Sequence, residues 1–165
     1  VEEAAESYLS CETSGIGTSA PKQILVIDDE PELRELVADN VIRAGFRVDT
    51  ARDGEEGWKA LCVTTYDLLI TDHEMPKLTG LALIERLRAV STRPPCILIS
   101  GSLPMPVSAL NGIVHPGAVL RKPFSASALI EKVYGLLSHG DFQNYNAARP
   151  HNAPAFGTLR HMPIG

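Results

Sequence analysis

Short apolar runs recur along the middle of the chain, each followed by residues of a different period. Ile24–Ile27 is continuous, as a strand buried on both faces requires. Pro31 suits the first turn of a helix. Leu33, Leu36, Val37, Val41 and Ala44 then keep helical spacing until Gly45 ends it. Phe46–Ala51 reads as a second strand. Asp53 caps a second helix, in which Gly57 is a weak point costing about 1 kcal/mol against Ala. "YDLLITD" reads as a third strand, "GLALIERLRAV" as a third helix, "PCILISGS" as a fourth strand and "GAVLRKPF" as a fifth. "SASALIEKVYGLLSH" is a closing helix capped by Ser125, with Leu129, Val133, Leu136 and Leu137 on one face. Between the fourth and fifth strands stand Pro104, Pro106 and Pro116, which leave room only for a short helix around Val107–Asn111. Strands alternating with helices predict an α/β fold, a parallel sheet covered on both faces.

Composition narrows the setting. The chain has 165 residues, 44% of them hydrophobic, and a formal net charge of −5. That is one domain with a real core. Residues 22–138 are expected to form it, between a flexible leader (1–21) and a disordered tail (139–165) that holds no output domain. No segment has the basic excess that direct nucleic-acid binding needs. No apolar run approaches the ~20 residues of a membrane span, and the acidic N-terminus does not suit a signal peptide. Cys11, Cys62 and Cys96 fit neither a zinc pattern nor a disulfide framework, so a reducing cytoplasmic compartment is expected.

The chemistry gathers at strand ends. Asp28 and Asp29 close the first strand, Asp72 the third, Ser100 the fourth and Lys122 the fifth. In a parallel sheet these ends share one edge, where such sheets bind ligands. Like charges about 4 Å apart repel by ~4 kcal/mol at an effective dielectric of ~20, so three converging acids call for a counter-charge. Mg²⁺, a hard cation that takes oxygen ligands and retains water, answers that need. A metal, an ammonium, a hydroxyl and a nucleophilic carboxylate together suit phosphoryl transfer. Asp28 or Asp29 also suits the cap of the first helix, and the two roles can coexist. "HEMPK" (His73–Lys77) lacks the second His of a zinc helix. Trp58 reads as partial core on the second helix, and His139, His151 and His161 are too sparse for a metal site.

"ILVIDDEPELRELV", "DLLITDHEMPKLTG", "ILISGS" and "LRKPF" resemble, over about residues 22–138, the receiver domain of two-component response regulators. The resemblance implies a flavodoxin-like (βα)5 three-layer sandwich with strand order 2-1-3-4-5. It implies Asp72 as phosphoacceptor, Asp29 as a direct Mg²⁺ ligand, Asp28 as a partly water-mediated one and the Glu74 main-chain carbonyl as another. Ser100 and Lys122 would contact the phosphoryl group. Met75, Pro76 and Gly80 would shape the adjoining loop, Gly101 would leave the pocket open, and the bond before Pro123 would be cis. The implied function is a bacterial signalling switch rather than an enzyme, with self-catalysed phosphotransfer and autodephosphorylation. Its expected donor is a histidine kinase or histidine phosphotransfer protein. Output is expected by contact with an unknown protein, from a monomer or weak dimer.

Two positions depart from the family pattern. Val119 stands where a switch aromatic is usual, and the proline-rich 103–116 segment replaces a regular fourth helix. Phosphorylation is therefore expected to reshape the loop 101–116. Alternatives that keep the fold are a receiver module excised from a hybrid sensor histidine kinase and a non-phosphorylated pseudo-receiver. A haloacid-dehalogenase-type phosphatase would need D-x-D at the first strand, and "DDE" lacks that spacing.

Overall fold

The computed structural model describes residues 21–90, 94–102 and 105–138. The tail, its histidines, Cys11 and nearly all of the leader lie outside the described residues. The elements are β1 (Gln23–Ile27), α1 (Pro31–Arg43), β2 (Arg47–Ala51), α2 (Gly54–Val63) and β3 (Leu68–Asp72), then α3 (Gly80–Arg88), β4 (Cys96–Ser100), α4 (Val107–Val114), β5 (Gly117–Arg121) and α5 (Ala126–Ser138). All strand pairs are parallel, as the alternation of strands and helices predicts, in the order β2-β1-β3-β4-β5 that the resemblance implies.

The three central strands explain their own composition. Each is covered on both faces, so neither parity of side chain meets water. One face, with Ile24, Val26, Ile70, Ile97 and Ile99, packs against α1 and α5 through Val37, Val41, Leu129 and Val133. The other, with Leu25, Ile27, Leu69 and Leu98, packs against α3 and α4 through Leu83, Ile84, Leu87, Leu110 and Val114, and Trp58 and Leu61 of α2 join it from the side. Trp58 is thus partial core, as its place in the sequence suggests, and the Arg86 guanidinium lies 4.1 Å from its ring centroid.

Local chemistry sets the helix ends. Asp53 accepts a 2.8 Å hydrogen bond from the Glu56 N–H, Thr79 one of 3.2 Å from Ala82, and Ser125 one of 3.2 Å from Ala128. Gly57, a weak point for propensity, has a packing reason: a Cβ there would lie 2.1 Å from Ile27 Cδ1. Bringing α2 onto β1 requires the missing side chain.

The fourth helix runs to Val114, three residues beyond the predicted Val107–Asn111. The prolines flank it rather than interrupt it. The Pro106 carbonyl accepts from the Ala109 and Leu110 N–H groups, and Leu110 and Val114, four residues apart, are both buried. Arg88 of α3 donates to the carbonyls of Gly112 and His115, satisfying the helix C-terminus. Both Lys122–Pro123 and His115–Pro116 are cis, the first as the resemblance implies. No described helix is long and apolar enough to cross a membrane.

Candidate functional site

Asp28 follows β1, Asp72 ends β3, Ser100 ends β4 and Lys122 follows β5. The register pairs Asp72 with Ile99 and Ser100 with Arg121, so these residues stand side by side on the carboxyl edge. Asp28 and Asp72 are each only 2% exposed and Ser100 is fully buried. Burial of that kind demands partners.

Asp72 has partners on each oxygen. Oδ2 accepts a 2.6 Å hydrogen bond from the Glu74 N–H. Oδ1 lies 2.7 Å from Lys122 Nζ, an ion pair whose approach leaves Oδ1 without an aligned hydrogen-bond donor. Asp28 Oδ1 accepts from the Glu30 N–H at 2.9 Å, and the Asp28 carbonyl accepts from Arg34 Nη1 at 2.8 Å. Behind the site, α3 begins almost in contact with β3: a Cβ on Gly80 would lie 2.1 Å from the Asp72 carbonyl oxygen.

The acids separate by environment. Burial, the largest influence, together with the charges of Asp72 and Asp29, pushes the Asp28 carboxyl up to about 6. The Glu30 hydrogen bond and the Lys122 charge only partly oppose it. For Lys122 burial alone acts downward. Contact with Asp72 and the charges of Asp28 and Glu30 outweigh it, holding the ammonium above its ordinary value.

Two expectations need correcting. The three carboxylates do not converge equally: Asp28 is buried while Asp29 is exposed. Asp29 lies in the bend that follows β1, and its charge still acts on Asp28. Among the described residues no group of three or more His, Cys, Asp or Glu side chains is gathered in metal-holding geometry. Nor does either Asp cap α1. The N-cap is Glu30, without a side-chain cap bond, and Asp28 instead holds the turn one step earlier. Replacement of Asp29 by Ala is accordingly expected to leave apo stability within about 0.5 kcal/mol, as for other exposed positions. Urea titration of the two proteins checks this, and a large loss would mean that Asp29 carries structure.

The remaining predicted residues surround the pair. Ser100 Oγ donates to the Ser102 carbonyl at 2.6 Å, not to Asp72. Glu74 is exposed, and its Oε2 would lie 3.5 Å from a Cβ on Gly101, so its carboxylate borders the open side of the pocket. Val119 is partly buried against the core. Arg34, which the sequence motifs do not single out, sits one turn into α1; a cation that close after two acids was the available signal.

The site suits a hard cation in donor chemistry. Asp28, Asp29, Asp72 and the Glu74 carbonyl offer only oxygen, and Asp72 Oδ1 is buried without an aligned donor. An apolar groove lined by Trp58, Leu61, Tyr66 and Leu87 lies at the opposite sheet edge and contains none of these groups.

A family model, the response regulator receiver domain, matches residues 24–134. The chain is 33% identical over 116 residues to the C4-dicarboxylate transport transcriptional regulatory protein DctD of Pseudomonas aeruginosa, covering 69% of this chain and 25% of that protein. It is 33% identical over 134 residues to the transcriptional activator PfeR of the same species, covering 80% of this chain and 43% of that one. The chain thus spans less than half the length of either relative. Among solved structures, the response regulator TrrA of Thermotoga maritima in complex with Mg²⁺–BeF matches with TM-score 0.64 and 34% identity, over 70% of this chain and 99% of that one.

A parallel 2-1-3-4-5 sheet with acids and a lysine on its carboxyl edge, matched over most of its described length, defines the class: a receiver-type signalling domain. The chain belongs to the response regulator receiver family of two-component signalling.

Proposed function

We propose that Asp72 accepts the phosphoryl group, with Lys122, Ser100 and Mg²⁺ as its aids. The observation that carries this is the buried Asp72–Lys122 pair at 2.7 Å, with buried Asp28 close enough to feel both charges. An ionised carboxylate is a ready nucleophile that needs no base. Its oxygen attacks phosphorus of a phosphohistidine on a histidine kinase or phosphotransfer protein. The P–N bond breaks, and the histidine nitrogen keeps the electron pair and takes up a proton. Lys122 then pairs with a phosphoryl oxygen, and Ser100 donates its hydroxyl to another. Asp29, Asp72 and the Glu74 carbonyl, with Asp28 partly through water, would hold Mg²⁺, which would neutralise charge on the phosphoryl oxygens. Water later attacks phosphorus, the P–O bond to Asp72 breaks, and inorganic phosphate leaves. The domain is a switch with self-catalysed steps rather than a conventional enzyme.

Residues 22–138 form the signalling unit, placed in the cytoplasm with its kinase. Its output is contact with another protein, as monomer or weak dimer. The relatives are transcriptional regulators, yet this segment has no basic excess suited to direct nucleic-acid contact. The test is mass spectrometry after incubation with acetyl phosphate and Mg²⁺. One phosphoryl group per chain is expected; none would favour an interaction-only module.

Ser100 also gives the output a mechanism. To reach a phosphoryl group, its hydroxyl must leave the Ser102 carbonyl. With Val119 in place of a ring, the change passes into the backbone after Gly101, while Arg88 holds the far end of α4. Beryllofluoride with Mg²⁺ is therefore expected to alter amide exchange in the loop 101–116 on the Gly101 side. Unchanged exchange there would rule this route out.

A further inference from the structure

Lys77 has a positive φ of 69°, and it is the one non-glycine residue of this kind among the described residues. The left-handed conformation costs a side-chain-bearing residue on the order of 1 kcal/mol or more and persists only where surroundings impose it. Two contacts tie this stretch of chain to the start of α2. The ammonium donates to Asp53 Oδ2 at 3.0 Å, across 24 positions of chain. Beside it, Leu78 lies so close to the start of α2 that a Cβ on Gly54 would meet the Leu78 carbonyl oxygen at 2.5 Å.

Asp53 is not a passive surface acid. Its side chain, 13% exposed, caps α2 with Oδ1 and takes Lys77 with Oδ2. The Glu56 N–H bond and then Lys77 keep its carboxyl below the usual range, so the pair stays ionised at neutral pH.

The loop so anchored is the one that serves Asp72. It begins at Glu74, whose N–H bonds Asp72 Oδ2, and closes with the Gly80 N–H on the His73 carbonyl. Between them the Met75 N–H bonds the His73 carbonyl and the Leu78 N–H the Pro76 carbonyl. These bonds are internal to the loop. The Lys77–Asp53 pair and the Leu78–Gly54 contact reach out of it to a different element.

We infer that Lys77 is a positioning residue: by holding the N-cap of α2 it fixes the Glu74 segment against Asp72 and so sets metal affinity at the site. This rests on the reading of Asp72 and Glu74 given above. A consequence is that α2 and the phosphoacceptor loop are mechanically joined at this edge. A partner that engages the start of α2 would change how well the site holds its cation.

The test uses the full chain with Lys77→Asn, Asp53→Asn, the double variant and Lys77→Arg. Asn visits the left-handed region readily, and it caps helices as well as Asp, so both singles keep the backbone and lose only the charge pair. Unchanged amide exchange in the strands checks that they are folded. Mg²⁺ alone is titrated by calorimetry, exchange of residues 73–79 is followed without metal, and the acetyl phosphate reaction is measured against Mg²⁺ concentration.

Lys77→Asn and Asp53→Asn are each expected to weaken Mg²⁺ binding about threefold, the scale of a partly exposed ion pair. Metal-free exchange of residues 73–79 rises, while the rate at saturating Mg²⁺ is unchanged. The double variant is no weaker than the singles, because one interaction is lost in each, and Lys77→Arg restores wild-type affinity. Additive losses, or unaltered exchange and affinity in both singles, overturn the inference. Wild-type protein that binds no Mg²⁺ and takes no phosphoryl group instead overturns the reading of the site, and metal-free exchange still reports the tie.

Discussion

Asp72→Asn is expected to take up no phosphoryl group from acetyl phosphate and Mg²⁺, while wild type takes up one per chain. The amide is nearly isosteric, still accepts the Glu74 N–H bond through its oxygen and still fills a site only 2% exposed. What it lacks is a nucleophilic carboxylate. An amide oxygen does not form a stable acyl phosphate, so the loss is complete rather than partial. The substitution also leaves Lys122 without its 2.7 Å counter-ion. Its ammonium is partly buried, and removing one partner of such a pair costs up to a few kcal/mol. Urea titration is therefore run beside mass spectrometry: a folded, phosphate-free variant supports Asp72, and a folded variant that is still phosphorylated moves the acceptor elsewhere.

The second large effect is on stability against pH. Burial, with the nearby acids, raises the Asp28 carboxyl from 3.8 to about 6. For an acid whose folded value is raised, the stabilising contribution is fully present below the unfolded value and disappears as pH rises through the folded one. The metal-free protein should therefore lose stability between about pH 4 and pH 7, by up to about 3 kcal/mol, since each tenfold change in proton affinity is worth about 1.4 kcal/mol. Asp53, lowered, and Lys122, raised, keep their charge states through that interval, since their folded values move away from it. Asp28→Asn keeps an acceptor for the Glu30 N–H without a charge, so it should flatten the slope. Saturating Mg²⁺ should flatten or invert it in wild type, because a cation favours the ionised acid. Thermal melts at several pH values, with chelator or with Mg²⁺, read all three. A metal-free protein equally stable at pH 5 and pH 7 would show that Asp28 stays ionised without cost.

Much of the site is legible in the amino-acid sequence. Asp28, Asp72 and Ser100 each close a run apolar enough to be buried, Lys122 follows a fifth strand, and parallel strands put such ends on one edge. Other features were not legible. Adjacent acids look alike in sequence, yet Asp28 is buried and Asp29 is not. Gly57 scores as a helix weakness because propensity is a local measure, whereas its reason is Ile27, 30 positions earlier. Prolines near Val107 argued for a shorter helix than Leu110, Val114 and Arg88 sustain. The motifs do not single out Lys77, because neither its φ nor Asp53 can be read from its neighbours.

By itself, then, the order of apolar and polar residues determined the alternation of strands and helices, the layered sheet and the supply of oxygen and ammonium groups at one edge. Those follow from period and from hydrogen-bonding capacity, which each residue carries with it. The tertiary structure decided which acid is buried, which oxygen meets Lys122, and that Lys77 joins the acceptor loop to α2. Charge state and strain depend on distance and on exclusion of water, and these arise only when segments far apart in the chain pack together.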